Sequence, residues 1–160
     1  MLRLRDPLPP DPDTLEADAV LLASEGRVIP EAAVALAASI AGRNAARVYV
    51  FSIARVWGTG LGLPMPGLNP NKAEWDVQHE LVSKAVQALR RRGVKADGRV
   101  VGTRKAGKRI VAEAARLGCG AIVMGGDPQR NRFLADFAWS QEPYRVRRRA
   151  RLPVYVVQSE

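Results

Sequence analysis

Short unbroken apolar runs recur along this chain with helical segments between them, and few folds accommodate that alternation. The run "ADAVLLAS" (Ala17 to Ser24) is too short for a buried helix and lacks the polar alternation of a half-exposed strand, so it reads as a strand buried on both faces. Pro30 opens "PEAAVALAASIAG" and Gly42 closes it, the usual order of helix start and stop signals. "ARVYVFSIARV" (Ala46 to Val56) is β-branched and aromatic, the composition of a second strand.

The pattern then repeats. Asn71 and Glu74 have capping-box spacing, and Trp75, His79, Val82, Val86 and Leu89 recur along one helical face until Gly93. "VKADGRVVG" predicts a third strand, "KAGKRIVAEAARLG" a third helix and "GAIVMGG" a fourth strand. A last helix is expected from about Ser140 to Ala150, followed by "LPVYVV" as a fifth strand. Strands alternating with helices imply an α/β fold: a three-layer open sheet of about five mostly parallel strands with helices on both faces. Residues 1–16, rich in Pro and Asp, read as a loose leader, and residues 17–160 as a single domain.

In open sheets of this kind ligands sit beyond the carboxyl ends of the strands. That places a candidate site at Ser24, Glu25 and Gly26 after the first strand and at Gly125 and Gly126 after the fourth. The formal charge of +9 raises the chance of an anionic partner. It is unevenly spread, because Arg3 and Arg5 face Asp6, Asp11, Asp13, Glu16 and Asp18 near the start, and the excess of cations lies further on. In "GGDPQRNR", Arg130 and Arg132 could supply charge to an anion where glycine amides are missing, although a solvated basic loop after a tight turn is the commoner meaning of such a stretch. Ser140 is read first as a helix cap and second as a phosphate ligand.

Other features point away from chemistry. The lone Cys119 excludes an intramolecular disulfide and a zinc cluster, and its place at the start of a strand makes it a buried, inert thiol. A reducing cytoplasm is the expected location, since no apolar run is long enough to span a bilayer. His79, the sole histidine, falls on the apolar face of the second helix, where a partly buried imidazole is commoner than a catalytic one. "GTGLG" (Gly58 to Gly62) opens no helix and is no dinucleotide fingerprint. With no nucleophile elbow and no paired carboxylates, no enzyme is expected, and no metal site. Two basic runs remain. "TRKAGKR" (Thr103 to Arg109) puts cations at a helix start, where the macrodipole disfavours them unless an acid or anion offsets it. "RVRRRARLP" spreads arginines over a helix face with only Tyr144 nearby, which reads as a solvated face and weighs against nucleic acid.

The order of elements and the words "IVAEAARLGCGAIVMGG" and "RRARLPVYVV" resemble the universal stress protein family, whose fold is of the adenine-nucleotide alpha-hydrolase-like type. The resemblance implies a homodimer joined through the last strand, residues 152–157, and an adenine-nucleotide site with ATP or AMP as the candidate ligand. ATP-binding members carry G-x-x-G-x9-G-[ST] after the fourth strand, glycines letting backbone amides approach the phosphates. Gly125 matches the first position; Pro128, which has no amide hydrogen, stands at the second. Counted forward, the closing pair falls on Ala138 and Trp139; counted back from the last strand it falls on Ser140 and Gln141, with Trp139 folding over the pocket mouth. Where members usually end the first strand with Asp-Gly-Ser, Glu25-Gly26-Arg27 stands here. The expectation is a non-enzymatic stress-response or regulatory domain with a degenerate adenine-nucleotide pocket. An ATP- or AMP-binding switch and a nucleic-acid-associated basic protein are its alternatives.

Overall fold

The computed structural model describes residues 8–55, 72–126 and 142–158. Five strands, β1 (Ala19–Ser24), β2 (Arg47–Arg55), β3 (Ala96–Thr103), β4 (Ala121–Gly126) and β5 (Val154–Gln158), form one sheet in the order β3-β2-β1-β4-β5. Every pairing is parallel. Four helices connect them: α1 (Glu31–Asn44), α2 (Lys72–Arg91), α3 (Ala106–Arg116) and α4 (Glu142–Arg149).

The unbroken apolar run of β1 is explained by its position, since all six of its residues are buried between β2 and β4 and between two helical layers. Val20 and Leu22 join a core with α1 and α2, while Leu21 and Ala23 face Ile110 of α3 and Val146 of α4. The alanines of α1 let that helix lie close to the sheet, with Ala33, Ala37 and Ala41 essentially inaccessible.

Three local expectations shift. The first helix runs past Gly42 to Asn44 and ends on Ala45 in the left-handed conformation (φ 49°). The extra turn has a task, because the Asn44 side chain donates to Leu15 O and Ile40 O, both at 2.9 Å. His79 is exposed rather than partly buried: it stacks on Trp75 with ring centroids 5.9 Å apart, and the inward positions of α2 are Gln78, Val82, Ala85, Val86 and Leu89. Of the stretch read as a loose leader, residues 8–16 are tied to the domain. A 3-10 turn over Pro12–Thr14 offers its carbonyls to Arg43, and the Tyr155 hydroxyl donates to Pro10 O at 2.8 Å.

At the outer strand β3, helix α2 lies so close that a Cβ on Gly98 would stand 2.3 Å from Val82 Cγ1 and 3.0 Å from Val86 Cγ2. Valine has little rotameric freedom in a helix, so the added methyl has nowhere to go. Gly98→Ala is therefore expected to destabilise the domain by about 1–3 kcal/mol through overpacking, measured by denaturant unfolding. The double variant Gly98→Ala/Val82→Ala should cost less than the sum of its parts. Simple additivity would refute this contact.

Candidate functional site

Strand order places the site before any side chain is considered. From β1 the chain moves outward to β2 and β3 on one side, whereas β4 and β5 lie on the other, so the carboxyl ends of β1 and β4 flank the switch point where a crevice opens. A cavity of about 560 Å³ lies there, and Ser24, Glu25, Gly26, Gly125 and Gly126 all line it. Arg27, Pro30, Val77 and Leu81 complete much of its wall. Arg130, Arg132 and Ser140, with Pro128, Trp139 and the Gly58 to Gly62 segment, lie outside the described residues.

The turn after β1 is held by its own polar atoms. Ser24 Oγ accepts from the Gly26 amide at 3.1 Å and donates to Arg27 O, which bends the chain sharply away from the sheet. Gly26 sits at φ 119°, which L side chains rarely adopt, and a Cβ there would lie 3.1 Å from Ile53 O. Its carbonyl accepts from Gln78 Nε2 at 2.9 Å, and Gln78 Oε1 accepts from Ser52 Oγ at 2.5 Å. Gln78 is 1% exposed and Ser52 is fully buried, so one amide fastens α2 to the ends of both β1 and β2. The sequence held a signal for this residue: position 78 lies three after Trp75 and four before Val82, a polar group on an otherwise apolar face.

Glu25 is the most constrained residue of the site. Only 1% of it is exposed, its Oε1 accepts from Arg27 Nε, and its backbone carbonyl accepts from Arg55 Nε at 3.0 Å. Burial pushes its carboxyl above the usual glutamate range, with the Arg27 guanidinium pulling the other way. Burial likewise lowers Arg55 from its ordinary value, with Glu25 and Glu142 opposing the shift.

The glycine pair after β4 has a packing reason of its own. A Cβ on Gly125 would stand 2.5 Å from Pro30 Cδ, and one on Gly126 would stand 2.6 Å from Val156 Cγ1. Neither has a positive φ. Pro30 thus lies across the end of β4 and forms one wall of the cavity.

Beyond the cavity, the acid that the cationic start of α3 requires is Glu142 of α4, whose Oε1 accepts from the Gly107 amide at 2.8 Å. Glu113, 1% exposed, meets Arg99, Arg109 and Arg116, and the Arg116 hydrogen bond foremost holds its carboxyl below the usual range. Cys119 is buried, and desolvation pushes its thiol up to about 11. Among the described residues no group of His, Cys, Asp and Glu is placed to hold a metal ion, and no helix is long and apolar enough to cross a membrane.

Comparison with known proteins agrees with this fold. The sequence model of the universal stress protein family matches residues 16–158. A universal stress protein family member from Burkholderia pseudomallei is similar in structure at 23% identity, over 89% of this chain and 96% of that one, with a TM-score of 0.62. The universal stress protein from Archaeoglobus fulgidus in complex with dAMP aligns at 22% identity over 86% and 95% of the two chains, with a TM-score of 0.61. A universal stress protein in complex with cAMP aligns at 16% identity over 91% and 100%, with a TM-score of 0.64. At these identities the likeness is one of fold. No curated protein matches the sequence.

The raised Glu25 carboxyl has a measurable consequence. The folded state holds this proton to a higher pH than the unfolded chain does, so stability falls as pH rises from the unfolded value through the folded one, and the deficit persists above it. Glu25→Gln keeps the length and an acceptor for Arg27 without the charge. Its melting temperature should exceed that of the parent at pH 7.5, and the gain should vanish near pH 4. A variant less stable at pH 7.5 would show that attraction to Arg27 outweighs the cost of burial.

Proposed function

Because the chain belongs to the universal stress protein family, we propose that it is a non-enzymatic stress-response or regulatory domain, a homodimer, with a degenerate adenine-nucleotide pocket. The observation that carries this proposal is Glu25. The carboxylate at the position from which a nucleotide base would be addressed is buried and committed to Arg27, and its longer side chain is folded into the turn instead of reaching across the cavity. A base seated there would have to take hydrogen bonds from Arg27 or displace it, and a displaced buried ion pair is costly. Pro128, where ATP-binding members keep a glycine, adds to this by lacking an amide hydrogen. Among the described residues that line the cavity no general acid and base are paired, which supports a role without catalysis.

The second reading, an ATP- or AMP-binding switch, is favoured by one observation: at about 560 Å³ the cavity has the size of a small-molecule site. The relatives solved with dAMP and cAMP make adenine nucleotides the ligands to test. The dimer is proposed through residues 152–157, because β5 is an edge of the sheet and Val156 and Val157 stay partly exposed along it.

Isothermal titration with ATP, AMP and cAMP separates the two readings. Binding weaker than about 100 µM is expected for all three, and a dissociation constant of about 1 µM, which is ~8 kcal/mol of binding, would establish the switch instead. Light scattering at about 20 µM is expected to give twice the chain mass, and a monomer at that concentration would refute the dimer.

A further inference from the structure

The two basic runs of the sequence, forty residues apart by rough count, meet in space. Arg104, Lys105 and Lys108 from the start of α3, Arg145 and Arg149 from α4, and Arg55 from β2 line one groove of about 320 Å³. Among the described residues Glu142 is the one acid in its lining, and it is already occupied by the Gly107 amide and by Arg145, 3.4 Å away. Among the described residues, Arg104, Lys105, Lys108 and Arg149 take part in no ion pair, and all four are exposed. Converging like charges repel one another, so the arrangement is stabilised by an anion that spans them.

We propose that this groove binds the phosphate backbone of a nucleic acid without reading its bases. Three observations select that partner. Six cations from separate segments, the end of β2, the start of α3 and α4, share one open groove, which suits a polyanion with several phosphates better than a single anion. Among the described residues no aromatic ring lines the groove for stacking, which favours a duplex backbone over a single strand: Tyr144, the aromatic residue of α4, is 5% exposed and its ring is covered by Arg147, whose guanidinium carbon lies 5.2 Å from the centroid. The large hydrophobic residues exposed among the described residues, Leu8, Val28 and Val77, lie on neither α3 nor α4, so the surface lacks the apolar anchors of a membrane-binding helix. The amide at the start of α3 plays no part, being taken by Glu142.

The groove shares no lining residue with the cavity beside β1. The test is fluorescence anisotropy on the full chain with labelled duplexes of about twenty base pairs, one DNA and one RNA, each of two unrelated sequences, titrated with salt. Engagement of about four phosphates predicts a loss of affinity of about a hundredfold between 50 and 200 mM salt and no preference between sequences. Lys105→Ala/Arg149→Ala should weaken binding about tenfold or more and flatten the salt slope by about two, while Arg91→Ala/Arg92→Ala, the same charge removed from α2, should change it little. Circular dichroism of both double variants controls for folding. The DNA and RNA arms tell which backbone is preferred, and either supports the proposal. Absence of binding at 50 mM salt, equal losses in the two variants, or binding to anionic lipid vesicles or an acidic polypeptide in place of either duplex would overturn it.

Discussion

The structure depends on the complete burial of β1. A strand covered above, below and on both edges can carry no charge and no unpaired backbone group, and Ala19–Ser24 meets both conditions through its side chains and two parallel ladders. Once that strand is placed, the β-α connections fix the rest: β2 and β3 spread to one side, β4 and β5 to the other, and the crevice opens where the direction changes. The cavity is a product of topology before it is a product of any side chain.

The abruptness with which β1 ends then shapes the site. Six buried residues are followed by Glu25, also buried but ionisable, and the chain has to turn within three residues into a segment where Val28 is exposed. Gly26 makes the turn with its positive φ, and Ser24 and Gln78 cover the amide and the carbonyl of Gly26 that the turn would otherwise leave bare. Rigidity at this corner comes with a limit. An ionisable group locked into the turn is held by the protein's own arginines, and what holds it also competes with whatever approaches from the cavity.

Legibility in the sequence follows the range of the interaction. Apolar periodicity is local, so the five strands, the four helices and the cavity residues Ser24 to Gly26 and Gly125 to Gly126 were readable directly. Their partners were not. Gln78 reaches Gly26 across fifty-two positions, and Glu142 reaches the Gly107 amide across thirty-five; neither separation leaves a pattern along the chain. The glycine pair shows a subtler limit. A glycine after a strand reads as a place for a ligand, yet Pro30 and Val156 already require the absence of a Cβ at Gly125 and Gly126, so the same residue type carries two meanings that only the packing separates. His79 was misplaced for a related reason: helical spacing admits both 78 and 79 to the inward stripe, and the carbonyl of Gly26 selects the one with an amide.

Arg55 joins the two halves of the molecule. Its Nε holds the Glu25 carbonyl at the floor of the cavity, and the same residue lines the groove between α3 and α4, where Glu142 opposes its desolvation. This guanidinium is half-buried, which leaves its charge less screened than one in bulk water. The β1 turn and the cationic groove therefore share one charged side chain, although the sheet separates the helices that build them.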